Sequence, residues 1–87
     1  MNHASIRPTL CFIEEQRILF QVDAELFPCP RLGESISLIQ EDGNFLGTFL
    51  VDEIYHNIPV RQVGESIIPL IMQSVTIVKV LRVEEKL

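Results

Sequence analysis

Residues 28–56 read P-C-P-R-L-G-E-S-I-S-L-I-Q-E-D-G-N-F-L-G-T-F-L-V-D-E-I-Y-H, and the order of turn formers and alternating apolar residues in this stretch decides the fold. Pro28 and Pro30 fix φ at two positions and hold Cys29 extended, because a residue that precedes proline avoids the α region. Gly33 is free to take a positive φ and turn the chain into a strand. Ser35–Gln40 alternates, with Ile36 and Leu38 on one face. Glu41–Asn44 is centred on Asp-Gly, the dipeptide of tight hairpin turns. From Phe45 to Ile58 the run is too long for one alternation: Phe49 and Val51 share a phase, and Ile54 and His56 take the other. A phase slip inside a strand marks a bulge or bend, predicted here at Asp52-Glu53. Long bent strands let a few elements close into a small barrel.

Working outward, Thr9–Ile13 is a short apolar strand after Pro8, and Glu14–Arg17 is a charged turn. Ile18, Phe20, Val22, Ala24 and Leu26 then recur at period two, which predicts a half-buried strand over 18–26 with those five residues on the core face. Downstream, Pro59–Glu65 is a second proline-to-glycine connection. Ser66–Met72 is apolar, but Pro69 confines it to an edge, a strand start or an irregular turn. Ser74–Val83 is β-branched and apolar on both faces, which predicts a central strand or one covered by a partner. No window shows a capped 3.6-residue period, so no helix is expected. The run from Val22 to Ile36 is loosely echoed from Val51 to Ile67. Similar turns selecting similar residues account for this echo. The alternative is a pair of pseudo-symmetric units that would place Arg31 and Arg61 in equivalent positions.

At 87 residues the chain is one domain, read as a tail over 1–7 and a folded unit over 8–84. Twelve acids against seven bases leave a net charge of −5. Gripping phosphates requires clustered Lys and Arg. Here Arg7, Arg17, Arg31, Arg61, Lys79, Arg82 and Lys86 are scattered, so nucleic acid is disfavoured as a partner, and an anionic membrane with it. No signal peptide or membrane-spanning run is legible, which points to the cytoplasm and to reduced thiols at Cys11 and Cys29.

No catalytic, cofactor or metal site is expected. Tyr55-His56-Asn57 with Asp52-Glu53 is the densest polar cluster, yet neighbours on a strand point to opposite faces and do not converge. A strand-end His bonded to nearby backbone is the simpler reading. Cys29 would be reactive only with a cation such as Arg31 lowering its pKa. Cys11, Cys29, His3 and His56 lack the spacing of a zinc site. The more informative feature is the apolar crowd at Ile58, Val60, Val63, Ile67, Ile68, Leu70 and Ile71, in a segment marked as loop or edge. It predicts either an exposed interface or a plug across an open barrel end.

The series P-R-L-G-E-S-I-S-L, then G-N-F-L-G-T-F-L-V-D-E-I-Y-H, with the terminal V-T-I-V-K-V-L-R-V, resembles small bacterial barrel proteins of the SH3-like kind. It departs from them at Gly47-Thr48-Phe49, where extra residues follow the turn. The resemblance implies a fold and no activity. The expected architecture is all-β, a small, partly open antiparallel barrel (SH3-like or OB-like) of about five strands in meander order. The expected role is a non-enzymatic interaction or assembly module. It would self-associate or bind a protein partner through Ile58, Val60, Val63, Ile67, Ile68 and Leu70 plus an edge strand. Arg31, Arg61, Tyr55 and His56 would be the ligand contacts. The alternatives are a nucleic-acid-binding barrel using Arg31, Arg61 and Arg82, and a metal or catalytic protein centred on His56.

Overall fold

A computed structural model describes residues 7–83; the expected tail, His3 included, lies almost wholly outside them. The first described residue, Arg7, donates to Glu25 at 3.1 Å and lies 3.7 Å from Asp23.

The fold is all-β. Its strands are β1 (Thr9–Glu14), β2 (Arg17–Asp23), β3 (Ser35–Ile39), β4 (Phe45–Asn57), β5 (Val60–Val63), β6 (Ser66–Pro69) and β7 (Val75–Val83). Five of them form one curled sheet in the order β2-β1-β7-β4-β3, and β5 and β6 form a separate hairpin. The sheet is a half-barrel whose free edges are β2 and β3. Among the described residues there is one 3-10 turn, Ile71–Gln73, and no helix long and apolar enough to cross a membrane.

Two expectations about order are corrected. The strands do not form a meander, because β1 and β7 pair in parallel, Thr9 opposite Val75 through Glu14 opposite Val80. Nor does β2 run to Leu26. It ends at Asp23, whose Oδ1 accepts from the Glu25 N–H at 2.9 Å while its carbonyl accepts from the Leu26 N–H at 3.0 Å. Such an Asx turn outcompetes strand pairing, and Leu26 is left 82% exposed.

The predicted core face of β2 also changes. The β1–β2 register shifts between Phe12 and Ile13, with Phe12 opposite Phe20 but Ile13 opposite Ile18. Leu19 is therefore a bulge residue. Phe20 and Val22 pack on the core, with Leu19 beside them, whereas Ile18 turns to the outer face and is 53% exposed.

The phase slip in β4 lies where the sequence places it. Val51 faces Val80 and Glu53 faces Lys79, so Asp52 is the extra residue. The bulge brings Ile54 back to the inner face, where it packs with Phe49 and Val51.

The core sits in the concavity of the three central strands: Leu10 and Phe12 from β1, Phe49 and Val51 from β4, Val78 and Val80 from β7. Phe12 stacks on Phe20 with ring centres 4.4 Å apart, and Phe27, from the connection between the two edge strands, meets Phe12 edge-on at 5.8 Å. β7 is central, as its composition predicts. Its Val78 and Val80 are buried, while Leu81 and Val83 on the other face are exposed.

Candidate interaction surface

The β5–β6 hairpin begins at Pro59 and turns at Gly64-Glu65, where Gly64 has φ +61°. A positive φ at the first central residue of a two-residue turn is a glycine position. At the base the Leu70 N–H donates to the Pro59 carbonyl at 2.8 Å. One 3-10 turn then leads into β7 through bonds from the Gln73 and Ser74 N–H groups to the carbonyls of Leu70 and Ile71. Pro59–Glu65, expected as a connection, and Ser66–Met72, expected as an edge, a strand start or an irregular turn, thus hold a hairpin of their own, an arm. Its strands pair with each other and with no strand of the large sheet.

All eight strand positions of the arm are exposed. Cross-strand partners share a face, so Val60, Pro69 and Ile67 lie on one side with Gln62, and Val63 and Ile68 lie on the other with Arg61 and Ser66. Neither side is the polar one. Of the six residues singled out, Ile58, Val60, Val63, Ile67 and Ile68 are exposed and Leu70 is half-buried at the base. The arm does not plug the barrel. Between Ile58 and Gln73 the only charges are Arg61 and Glu65, so the arm is neutral on a chain of net charge −5.

The four expected ligand contacts are not brought together. Arg31 lies in the β2–β3 connection, where its N–H donates to Glu34, and Arg61 lies in β5. Their settings differ, so the echoed segments are not equivalent units and turn chemistry accounts for the echo. Tyr55 pairs with Ile77 on the outer face and donates to the Glu53 carboxylate. That bond, with Lys79 at 3.5 Å, holds the Glu53 carboxyl below its ordinary range and raises the Tyr55 phenol. His56 is opposite Thr76, its Nδ1 3.0 Å from the Thr76 hydroxyl. Its partner is therefore a side chain and not the backbone expected from the sequence.

Arg82 is committed elsewhere. Its Nε and Nη2 donate to the two oxygens of Glu14 at 3.0 and 3.1 Å, and Nη1 donates to the Leu46 carbonyl at 3.3 Å. The fork is bidentate, and it holds the Glu14 carboxyl below its ordinary value. No signal in the sequence links Glu14 to Arg82, 68 positions apart.

The Cys29 Sγ is 3.4 Å from the Pro30 carbonyl, and desolvation pushes its thiol up, opposite to what a nucleophile needs. Cys11 is buried and pushed up for the same reason. Among the described residues no three His, Cys, Asp or Glu side chains gather as a metal would require.

An open groove runs beside β3, lined by Phe27, Pro28, Cys29, Pro30, Arg31 and Glu34 together with Ser35, Ile36 and Ser37. No family model matches the chain, and no curated protein or solved structure is significantly similar to it.

Proposed function

We propose that the protein is a non-enzymatic assembly module that self-associates through the arm. The observation that carries this reading is the hairpin itself: two strands, apolar on both faces, standing clear of the sheet that contains the core. A two-stranded hairpin alone is marginal in water and needs a third strand or a covering surface. Nothing within the described chain supplies one.

The neutral arm is also where two copies of an acidic protein can approach without repulsion.

Light scattering coupled to size exclusion is the test. The wild type is expected to run as a dimer or higher species. Val60→Lys and Ile67→Lys, which place charge on one face of the arm and touch no core residue, are expected to give monomers with unchanged β-sheet circular dichroism. Added salt should leave the assembly intact or strengthen it, since apolar contact is not screened. A monodisperse monomer for the wild type at 100 µM would sink the reading.

A further inference from the structure

The proposed self-association leaves open what the arm binds, and the free backbone edges of the fold narrow the choice to one. We infer that β5 of one copy adds as a strand to the free edge of β3 in a second copy, extending its sheet beyond β3.

The outward-facing groups of β3 follow from its two ends. The Val51 N–H donates to the Glu34 carbonyl at 2.9 Å, and the Gln40 N–H donates to the Asn44 carbonyl at 2.7 Å. Even-numbered residues of β3 therefore bond to β4, and by alternation the N–H and C=O of Ser35, Ser37 and Ile39 point away from it. This edge carries no charge and no proline, and the bulge in the β3–β4 pair is not on β3. Leu38 faces Gly47 and Ile39 faces Phe45, so the extra residue is Leu46 of β4. Natural edges are usually blunted by charge, proline or a bulge. The edge of β3 has none of these.

The other open edges of the large sheet are guarded. β2 carries its own bulge at Leu19 and is bounded by Arg17 and Asp23. The part of β4 beyond β3 holds the bulge residue Asp52 and the charged Glu53.

The arm shows the same asymmetry. The Leu70 bond to Pro59 sets the phase, so Arg61 pairs through hydrogen bonds with Ile68, and Val63 with Ser66. On β5 the N–H and C=O of Val60 and Gln62 point outward. On β6 the outward residues are Ile67 and Pro69, and proline has no N–H to give. Pro69 blocks β6 and leaves β5 as the receptive edge.

The pairing satisfies three needs at once. The two-stranded arm gains a third strand, the bare edge of β3 gains a partner, and the apolar side chains of the arm come against the groove walled by Phe27, Pro28 and Pro30. A second copy is the occupant this favours, because one chain carries both the bare β3 edge and the β5 edge that Pro69 leaves as the arm's receptive one, and its arm is the neutral part of an acidic surface. Strand addition of this kind draws affinity from main-chain bonds and specificity from alternate side chains.

The test is amide hydrogen exchange of the wild-type protein, residue by residue, at two concentrations on either side of assembly. The amides of Ser35, Ser37, Ile39, Val60 and Gln62 are expected to slow by about tenfold or more in the assembled sample. Those of Ile36 and Leu38, already bonded within the five-stranded sheet, should be protected in both. In parallel, Ser37→Pro and Gln62→Pro each remove one outward N–H, and each is expected to raise the dissociation constant of the assembly by about tenfold or more. If the protein assembles while those five amides exchange at exposed rates, the pairing is wrong and the arm docks by its faces, so the assembly reading alone survives. If the wild type stays monomeric, both fall.

Discussion

The guanidinium of Arg82 lies 4.7 Å from the centre of the Phe49 ring, grips both oxygens of Glu14 and reaches the Leu46 carbonyl. It closes one mouth of the half-barrel, where the apolar core meets water. Gly47 makes the space: a Cβ there would sit 2.9 Å from Arg82 Nη1, on a backbone with φ +152°. Gly47→Ala must strain the backbone and displace Arg82 from its stack. The expected loss is about 1–3 kcal/mol, read as a lower urea midpoint with unchanged slope. Glu14 gives this mouth a pH dependence. Its carboxyl is held below the ordinary 4.5 by Arg82, so the stabilisation is present above that value. It is lost as pH falls through the lowered folded value. Glu14→Gln is expected to be less stable than wild type at neutral pH, with the gap closing in acid. Equal gaps at both pH values would contradict this role. In the sequence Gly47 is legible only as part of the Gly47-Thr48-Phe49 departure that follows the turn. The partner that requires it is not.

At the scale of elements, bulges did what alternation alone could not foretell. The slip at Asp52 was legible because two apolar phases meet within one run. The slip at Leu19 was hidden, because Ile18, Leu19 and Phe20 are all apolar and either phase could face the core. The pairing of β5 with β6 is hidden in the sequence for a related reason. These strands are only four residues each, and they bury no face, so the alternation that reveals a strand is missing. Because no buried residue lies in the arm, joining Ile58 to Ile71 through a short glycine-containing turn should leave the five-stranded sheet folded. Circular dichroism with a melting midpoint within a few degrees of wild type is expected, and a collapse of the sheet would show that the arm belongs to the folding unit.

Across the whole molecule, β1 and β7 are neighbours near opposite ends of the chain, and β7 is the third strand of five. The core has no centre until β7 is in place, since Val78 and Val80 face Phe12 and Val51 across it. A chain ending at Ser74 is expected to lack cooperative unfolding and native sheet content by circular dichroism. Folding should be slow for the chain's length, because the pairing that completes the sheet joins distant segments. If the shortened chain unfolded in a single sharp transition, β7 would not be the keystone assigned to it.

The sequence by itself determined the β class, the β3–β4 hairpin, the centrality of β7, the bulge at Asp52 and the apolar excess between Ile58 and Ile71. Each depends on spacing between near neighbours, on proline and glycine backbone limits, or on charge, all of which act locally. Tertiary structure alone decided the parallel β1–β7 pairing, the Glu14–Arg82 fork, the standing of the arm apart from the sheet and which edges are left bare. Those depend on how segments tens of residues apart meet, and many pairings of equal local merit are open to the chain until burial selects among them.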